Sequence, residues 1–457
     1  GGTVTQGGGV LISEFVARSA TLEWIEIHNT TAQAVNLANY TVSTLSRAGV
    51  GAQPIRATND LAGTFGTAVN IPAGGMLVGV ANPAVGNIPA AARFVIGGPG
   101  ALGADWLADG GDVITLRSPG GAGDVVDYRQ AATNPAVAIG ATQYPLVNEA
   151  STHLDPSLVG AGGELGNDNG AVWCADTFRG PTPNAANRAC NAHVISEFTY
   201  DYGSPTGGAD DGYEFVEVAG PAGGSLSGVF IGFIEGTGAT AGGANGTSIA
   251  LSGTRMPLDG LYVVADRSPG LMTSFVANVD QAEEIGSGSN SSMENGPDAL
   301  QLYRQNVGGT FTLLDAVAYG VVTATNDTTR QLAMVEGTPT ADPTATVYPA
   351  NFARSDDESD TNDNATDFAY LPTPTPGARN GSSAFTVTSI TPADALVGTT
   401  ATITLAGTNF TDQMTVVFAQ TPSPTLTNQT VTTSNQLSVR VVYPAAGPRT
   451  AERVNVT

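Results

Sequence analysis

One segment occurs twice in this chain, about 190 residues apart, and that duplication limits the fold more than any other feature. Residues 11–15 read Leu-Ile-Ser-Glu-Phe and lead into residues 22–29, Leu-Glu-Trp-Ile-Glu-Ile-His-Asn. Residues 194–198 read Val-Ile-Ser-Glu-Phe and lead into residues 213–218, Tyr-Glu-Phe-Val-Glu-Val. Glu14 matches Glu197, Glu23 matches Glu214, Glu26 matches Glu217, and Trp24 matches Phe215. The later parts recur in the same order. A turn and strand at 71–80 returns at 258–265, and a hairpin at 112–128 returns at 298–319. The closing Pro-Thr-Pro-Asn-Ala-Ala-Asn at 181–187 returns as Pro-Thr-Pro-Gly-Ala-Arg-Asn at 374–380. A repeat of that length means two copies of one domain rather than a solenoid of short units.

The runs inside each copy are strand-sized and rich in Val, Ile and Thr, and the chain carries 58 Gly and 27 Pro to break them. That pattern predicts an all-β fold with long loops. Residues 35–42 alternate apolar and polar over part of their length, as a half-buried strand should. After a short linker, residues 385–457 form a third set of alternating strands, long enough for a small two-sheet sandwich. The expected organisation is a flexible lead or donor segment at 1–9, domains at 10–190 and 191–381, and a smaller domain at 385–457. No signal peptide or membrane-spanning run is apparent, so no direct membrane insertion is expected.

Charge excludes several functions. The net charge is −24, and all 17 basic residues are Arg. A Lys-free acidic chain offers no basic patch for nucleic-acid phosphates, so no nucleic-acid partner is expected. Cys174 and Cys190 flank a loop of about 15 residues, and a disulfide between them is expected in an exported protein.

Candidate chemistry is sparse. Glu23 and Glu26 lie three apart on a strand and so point to opposite faces, where each is expected to tie down a loop or backbone N–H. The acidic run at 355–367 supplies oxygen ligands suited to calcium, with Asp356, Asp357, Asp360, Asn362 and Asp363 as candidates. It has no Gly or terminal Glu to complete an EF-hand. The first copy has only Asn-Asp-Asn at 167–169. His28, His153 and His193 are too scattered to compose a zinc site with two cysteines. No nucleophile-elbow pattern is present.

The two large copies resemble the lamin tail domain, through the repeated Ile-Ser-Glu-Phe and Glu-Trp-Ile-Glu-Ile segments, Val-Asn-Leu at 35–37, the hairpin and the closing Pro-Asn-Ala-Ala-Asn. Residues 385–457 are similar to the IPT/TIG domain, through Ser-Ile-Thr-Pro at 389–392 and Thr-Leu-Ala-Gly-Thr-Asn-Phe at 404–410. The resemblance implies tandem immunoglobulin-like β-sandwiches, two lamin-tail-like and one IPT/TIG-like. It brings no catalytic residues and no required cofactor. It implies a secreted or cell-surface, non-enzymatic structural or adhesive protein, a candidate subunit of an extracellular filament or surface layer. Its partners would be proteins, including copies of itself, met through strand edges. The alternative is a non-catalytic accessory region of a longer secreted hydrolase such as an extracellular nuclease. A carbohydrate-binding module is disfavoured by having only three Trp.

Overall fold

The computed structural model describes residues 5–6, 9–19, 23–57, 69–81, 93–97, 102, 106–134, 138–158, 167–202, 213–267, 274–285, 292–341, 349–355, 357–380, 386–392, 400–408, 416–418, 425–433, 436–442 and 454–456. Strands dominate them, and the α-helix they contain is the single turn Asn364–Asp367. No helix among them is long and apolar enough to cross a membrane. The chain divides into two compact units, 1–381 and 382–457.

Within the first unit each repeat is built around its own core. In the first, the lead-in strand Val10–Val16 pairs antiparallel with the motif strand Trp24–Asn29, which pairs with Met76–Val80. The hairpin of Val113–Arg117 and Ala122–Asp127 faces them. Phe15 from the lead-in strand stacks on Tyr128 after the hairpin at 4.9 Å between ring centroids. Leu11, Ile25, Ile27, Ile114, Leu116, Val126 and Trp173 complete that apolar layer, all fully shielded. The second repeat repeats the plan. Val194–Asp201 pairs with Phe215–Ala219, which pairs with Leu261–Asp266. Asp298–Gln305 and Phe311–Tyr319 form the facing hairpin. Phe198 meets Tyr319 at 5.5 Å, in the roles of Phe15 and Tyr128. Alternation places one side of each strand in the sandwich core, where burial is the main stabilising term.

The expected strand at 35–42 is divided. Val35–Asn36 pairs with Asn70–Ile71, and Thr41–Thr44 joins the hairpin sheet. Between them Asn39 adopts a left-handed φ of 68°, and Tyr40 N–H closes a turn on Leu37 O. Asn tolerates that conformation, so the alternation crosses a turn without being one strand.

The two repeats are fastened to each other by buried hydrogen bonds. Arg255, in the second repeat, sends Nη1 to Gly140 O and Gln143 O of the first, at 3.1 and 2.6 Å. Its Nη2 reaches Gly170 O and Trp173 O at 2.9 and 2.8 Å, and its Nε reaches Gly223 O at 2.6 Å. The fork geometry of a guanidinium lets one side chain satisfy five carbonyls. Ala175 and Ala222 add a backbone bridge beside it, and Arg179 donates to Glu358 O at 2.9 Å.

The C-terminal unit has a four-stranded sheet in the order Thr386–Thr391, Thr400–Thr408, Gln436–Val442, Thr425–Thr433. A second sheet pairs Val416–Phe418 with Val454–Val456. Ile403, Leu405, Leu437, Val439 and Val441, on the two central strands of the four-stranded sheet, are buried.

Arg255→Ala is expected to lower stability by about 3 kcal/mol, because it strips charge-assisted bonds from buried carbonyls. Urea unfolding followed by tryptophan fluorescence measures this. Arg255→Lys should recover less than half of the loss, since an ammonium cannot span both carbonyl pairs.

Candidate functional site

The repeated glutamates meet across strands. A β-bulge between Ile12 and Glu14 shifts the register so that Glu14 stands opposite Glu26. The same irregularity between Ile195 and Glu197 sets Glu197 opposite Glu217. All four carboxyls are fully shielded from solvent. Sequence spacing separates Glu23 from Glu26 correctly, but the partner of Glu26 is Glu14, a pairing that only the bulge creates.

Hydrogen-bond donors surround each pair. Ser13 Oγ donates to Glu26 Oε1 at 2.7 Å, and Ser196 Oγ donates to Glu217 Oε1 at 2.9 Å. The closing segments supply the rest. Thr182 N–H donates to Glu14 at 3.0 Å and Asn184 N–H to Glu26 at 2.7 Å. Thr375 N–H and Oγ1 both donate to Glu197 at 2.9 Å, and Gly377 N–H donates to Glu217 at 2.6 Å. Asn187 Nδ2 reaches Ser13 O at 3.2 Å, and Asn380 Nδ2 reaches Ser196 O at 3.1 Å. Each Pro-Thr-Pro segment is thus a clasp that binds the end of a repeat to its first two strands. Ser151 Oγ donates to Glu14, and Asn351 Nδ2 donates to Glu197 at 2.7 Å from the equivalent place.

Glu23 does what its spacing suggested. Its Oε2 accepts from Trp106 N–H and from Leu107 N–H, the latter at 2.6 Å, and holds that loop over the core.

Two further acids escaped notice in the sequence. Asp124 accepts Ile12 N–H at 2.7 Å, and Asp315 accepts Ile195 N–H at 2.7 Å. The bulge frees that N–H from the ladder, and the hairpin aspartate takes it. The signal was available, because both hairpins carry Asp-x-Val-x-Tyr, at 124–128 and 315–319. The partner on the far side differs. Asn167 Nδ2 meets Asp124 at 2.8 Å, whereas Arg354 meets Asp315 at 2.9 Å with both side chains fully buried.

Arg354 also engages two acids of the acidic run. It pairs with Asp367 at 3.0 Å and Asp360 at 3.6 Å. Asp360 is the one expected calcium ligand that joins a trio of metal-capable groups among the described residues, with Asp315 and Glu336. Asp357 is capped by Ser355 Oγ and Ser359 Oγ, both at 2.7 Å. Asn362 has a left-handed φ of 58° and sends its N–H to Asp360, while Asp363 precedes the helical turn Asn364–Asp367. Asp356 lies outside the described residues. Cys174 and Cys190 are disulfide-bonded, and His153 Nε2 lies 3.1 Å from the Cys174 sulfur.

The family comparison matches two stretches of the chain. Residues 3–131 match the lamin tail domain model, and residues 386–457 match the IPT/TIG domain model. The chain carries both domains. No curated protein matches it. Both domain types are immunoglobulin-like sandwiches that serve interaction rather than catalysis. The carboxyl pairs fit that view: they are sealed from substrate, and their oxygens are engaged by the clasp.

Burial sets their protonation. It pushes the Glu26 carboxyl up to about 8, with the Glu14 charge adding to the effect. Burial raises Glu217 well above the usual range and takes Glu358 and Glu336 to about 8. A carboxyl raised in this way contributes stability that is complete below its ordinary value near 4.5 and is lost as pH rises to the folded value. Burial lowers His153 to about 4 and His193 to about 3, so these two favour folding less as pH drops below 6.5. Four carboxyls titrate over a wider interval than two histidines, and the carboxyls decide the slope. The urea midpoint should therefore rise as pH is lowered from about 8.5 to about 5.5. Glu26→Gln should make that rise smaller, and an unchanged slope would remove Glu26 from the account.

Proposed function

We propose that this chain is an extracellular structural or adhesive protein that assembles with copies of itself through sheet edges. The organisation that goes with it is a donor lead at 1–9, paired lamin-tail-type repeats at 10–190 and 191–381, and an IPT/TIG-type domain at 385–457. The observation that carries the reading is at the N-terminal side. Thr5–Gln6 adds in parallel to the edge strand Ala122–Asp127, with Thr5 beside Ala122 and Gln6 beside Gly123. A sheet edge that accepts an extended segment from beyond the sandwich can accept one from a neighbour, since main-chain hydrogen bonds supply the contact. In the second repeat Thr340 and Asn364 cover the later part of the hairpin's edge strand but not its start. Phe311 and Thr312, at the start of the edge strand Phe311–Tyr319, are exposed.

Other observations agree with the proposed setting. A structural disulfide belongs to an oxidising compartment. A Lys-free surface with net charge −24 suits a protein kept soluble by self-repulsion until edges meet.

Negative-stain electron microscopy and light scattering of the purified protein test the proposal. Ordered polymers are expected, and a variant lacking residues 1–9 should remain dispersed. Monomers for the intact chain at every salt and calcium concentration would sink it.

A further inference from the structure

The strongest unassigned chemistry lies beside the second clasp. Thr199 on the strand Val194–Asp201 stands directly opposite Asn351 on the strand Ala350–Ala353. Thr199 Oγ1 lies 2.6 Å from Asn351 Oδ1, and Asn351 Nδ2 lies 2.7 Å from Glu197 Oε1. Nδ2 also donates to Leu371 O at 3.1 Å, which fixes the plane of the carboxamide. Thr199, Asn351 and Glu197 are all fully buried. A hydroxyl, a carboxamide and a carboxyl therefore form one hydrogen-bonded chain shielded from solvent. The geometry points to an intramolecular ester between Thr199 and Asn351, formed with loss of ammonia and assisted by Glu197.

The step balances without a co-reactant. Thr199 Oγ1 adds to Asn351 Cγ, and its proton passes to Oδ1, the atom it already faces. The tetrahedral carbon then carries Oγ1, a hydroxyl and the amino group, whose nitrogen has become basic. Glu197, as the neutral acid, protonates that nitrogen across the hydrogen bond they share. The Cγ–Nδ2 bond breaks and ammonia leaves. The hydroxyl proton returns to Glu197 as the carbonyl reforms. Burial raises the Glu197 carboxyl, which favours its neutral form over that of an exposed glutamate. Fixing both groups in one orientation replaces the entropy that such an addition otherwise costs. The finished link has two atoms between the Cβ carbons, as a disulfide does, and disulfides join Cβ carbons roughly 3.5–4.5 Å apart. Opposed residues of an antiparallel pair are within about an ångström of that reach. The register irregularity just past Thr199 gives the strand room to close it.

The first repeat serves as a control. The pairing of Phe15 with Thr152 puts Val16 and Ser151 at the positions of Thr199 and Asn351. Ser151 still donates to Glu14, so a short hydroxyl suffices to hold the clasp. A carboxamide facing a threonine is more than the clasp requires.

Mass spectrometry of the denatured protein reads the outcome directly, and independently of any assembly. The intact chain should be lighter than its disulfide-bonded sequence mass by one ammonia, about 17 Da. After reduction and trypsin, peptides 189–255 and 331–354 should appear as one joined species, which hydroxylamine separates. Thr199→Val, which copies the first repeat, should fold and show the full mass with separate peptides. Glu197→Gln should slow formation at least tenfold. An intact mass equal to the sequence mass overturns the inference. So does a 17 Da loss that persists in Thr199→Val or leaves the two peptides separate, because asparagine cyclisation before glycine gives the same mass change.

Discussion

Both large repeats depend on two glutamate side chains held side by side and shielded from solvent. Two like charges in a dry site cannot both persist, so at least one carboxyl of each pair keeps its proton. What makes the arrangement tolerable is the number of donors brought to it. Ser13, Thr182, Asn184 and Ser151 serve Glu14 and Glu26, and Ser196, Thr375, Gly377 and Asn351 serve Glu197 and Glu217. Most of those donors come from late in each repeat, whereas the acceptors come from its first two strands. The site closes a loop of more than 150 residues, so it can form only when the whole sandwich has formed.

The duplication separates what the fold needs from what one copy has added. Both copies require an acid to take the N–H freed by the bulge, and Asp124 and Asp315 provide it. The first copy balances its aspartate with the neutral Asn167. The second uses the buried cation Arg354 and must then surround it with Asp360 and Asp367. Two acids of the run that looks like a ligand loop in the sequence, Asp360 and Asp367, are counter-charges of that arginine. An unpaired guanidinium at that depth would cost several kcal/mol.

Much of this was legible from the residues. Ordered recurrence of the segments identified the duplication, and strand-length apolar runs identified the sandwiches, because period and length follow from backbone geometry. The opposite faces of Glu23 and Glu26 follow from the same rule. Glu14 beside Glu26 did not, since a bulge changes register without leaving a mark in composition. The turn at Asn39 was missed for a related reason: alternation continues across it while the chain changes sheet. Arg354 was hidden because its partners are 6 to 39 residues away and are brought together only by packing.

The same distribution of charge bears on how such a protein could meet its neighbours. Arg255 and Arg354 are buried within the fold, and the 17 arginines are far outnumbered by the 41 acids, so cations that could bridge two acidic surfaces are few. Copies of a chain with net charge −24 repel one another at long range. Backbone hydrogen bonds are the contact least affected by that repulsion, because a strand edge offers N–H and C=O groups whatever side chains flank it. In the proposed assembly, edge pairing would set register and direction, and the acidic surface would set how much salt is needed before edges approach. An interface built on complementary side-chain charge would require more cations than a chain with 17 arginines against 41 acids supplies.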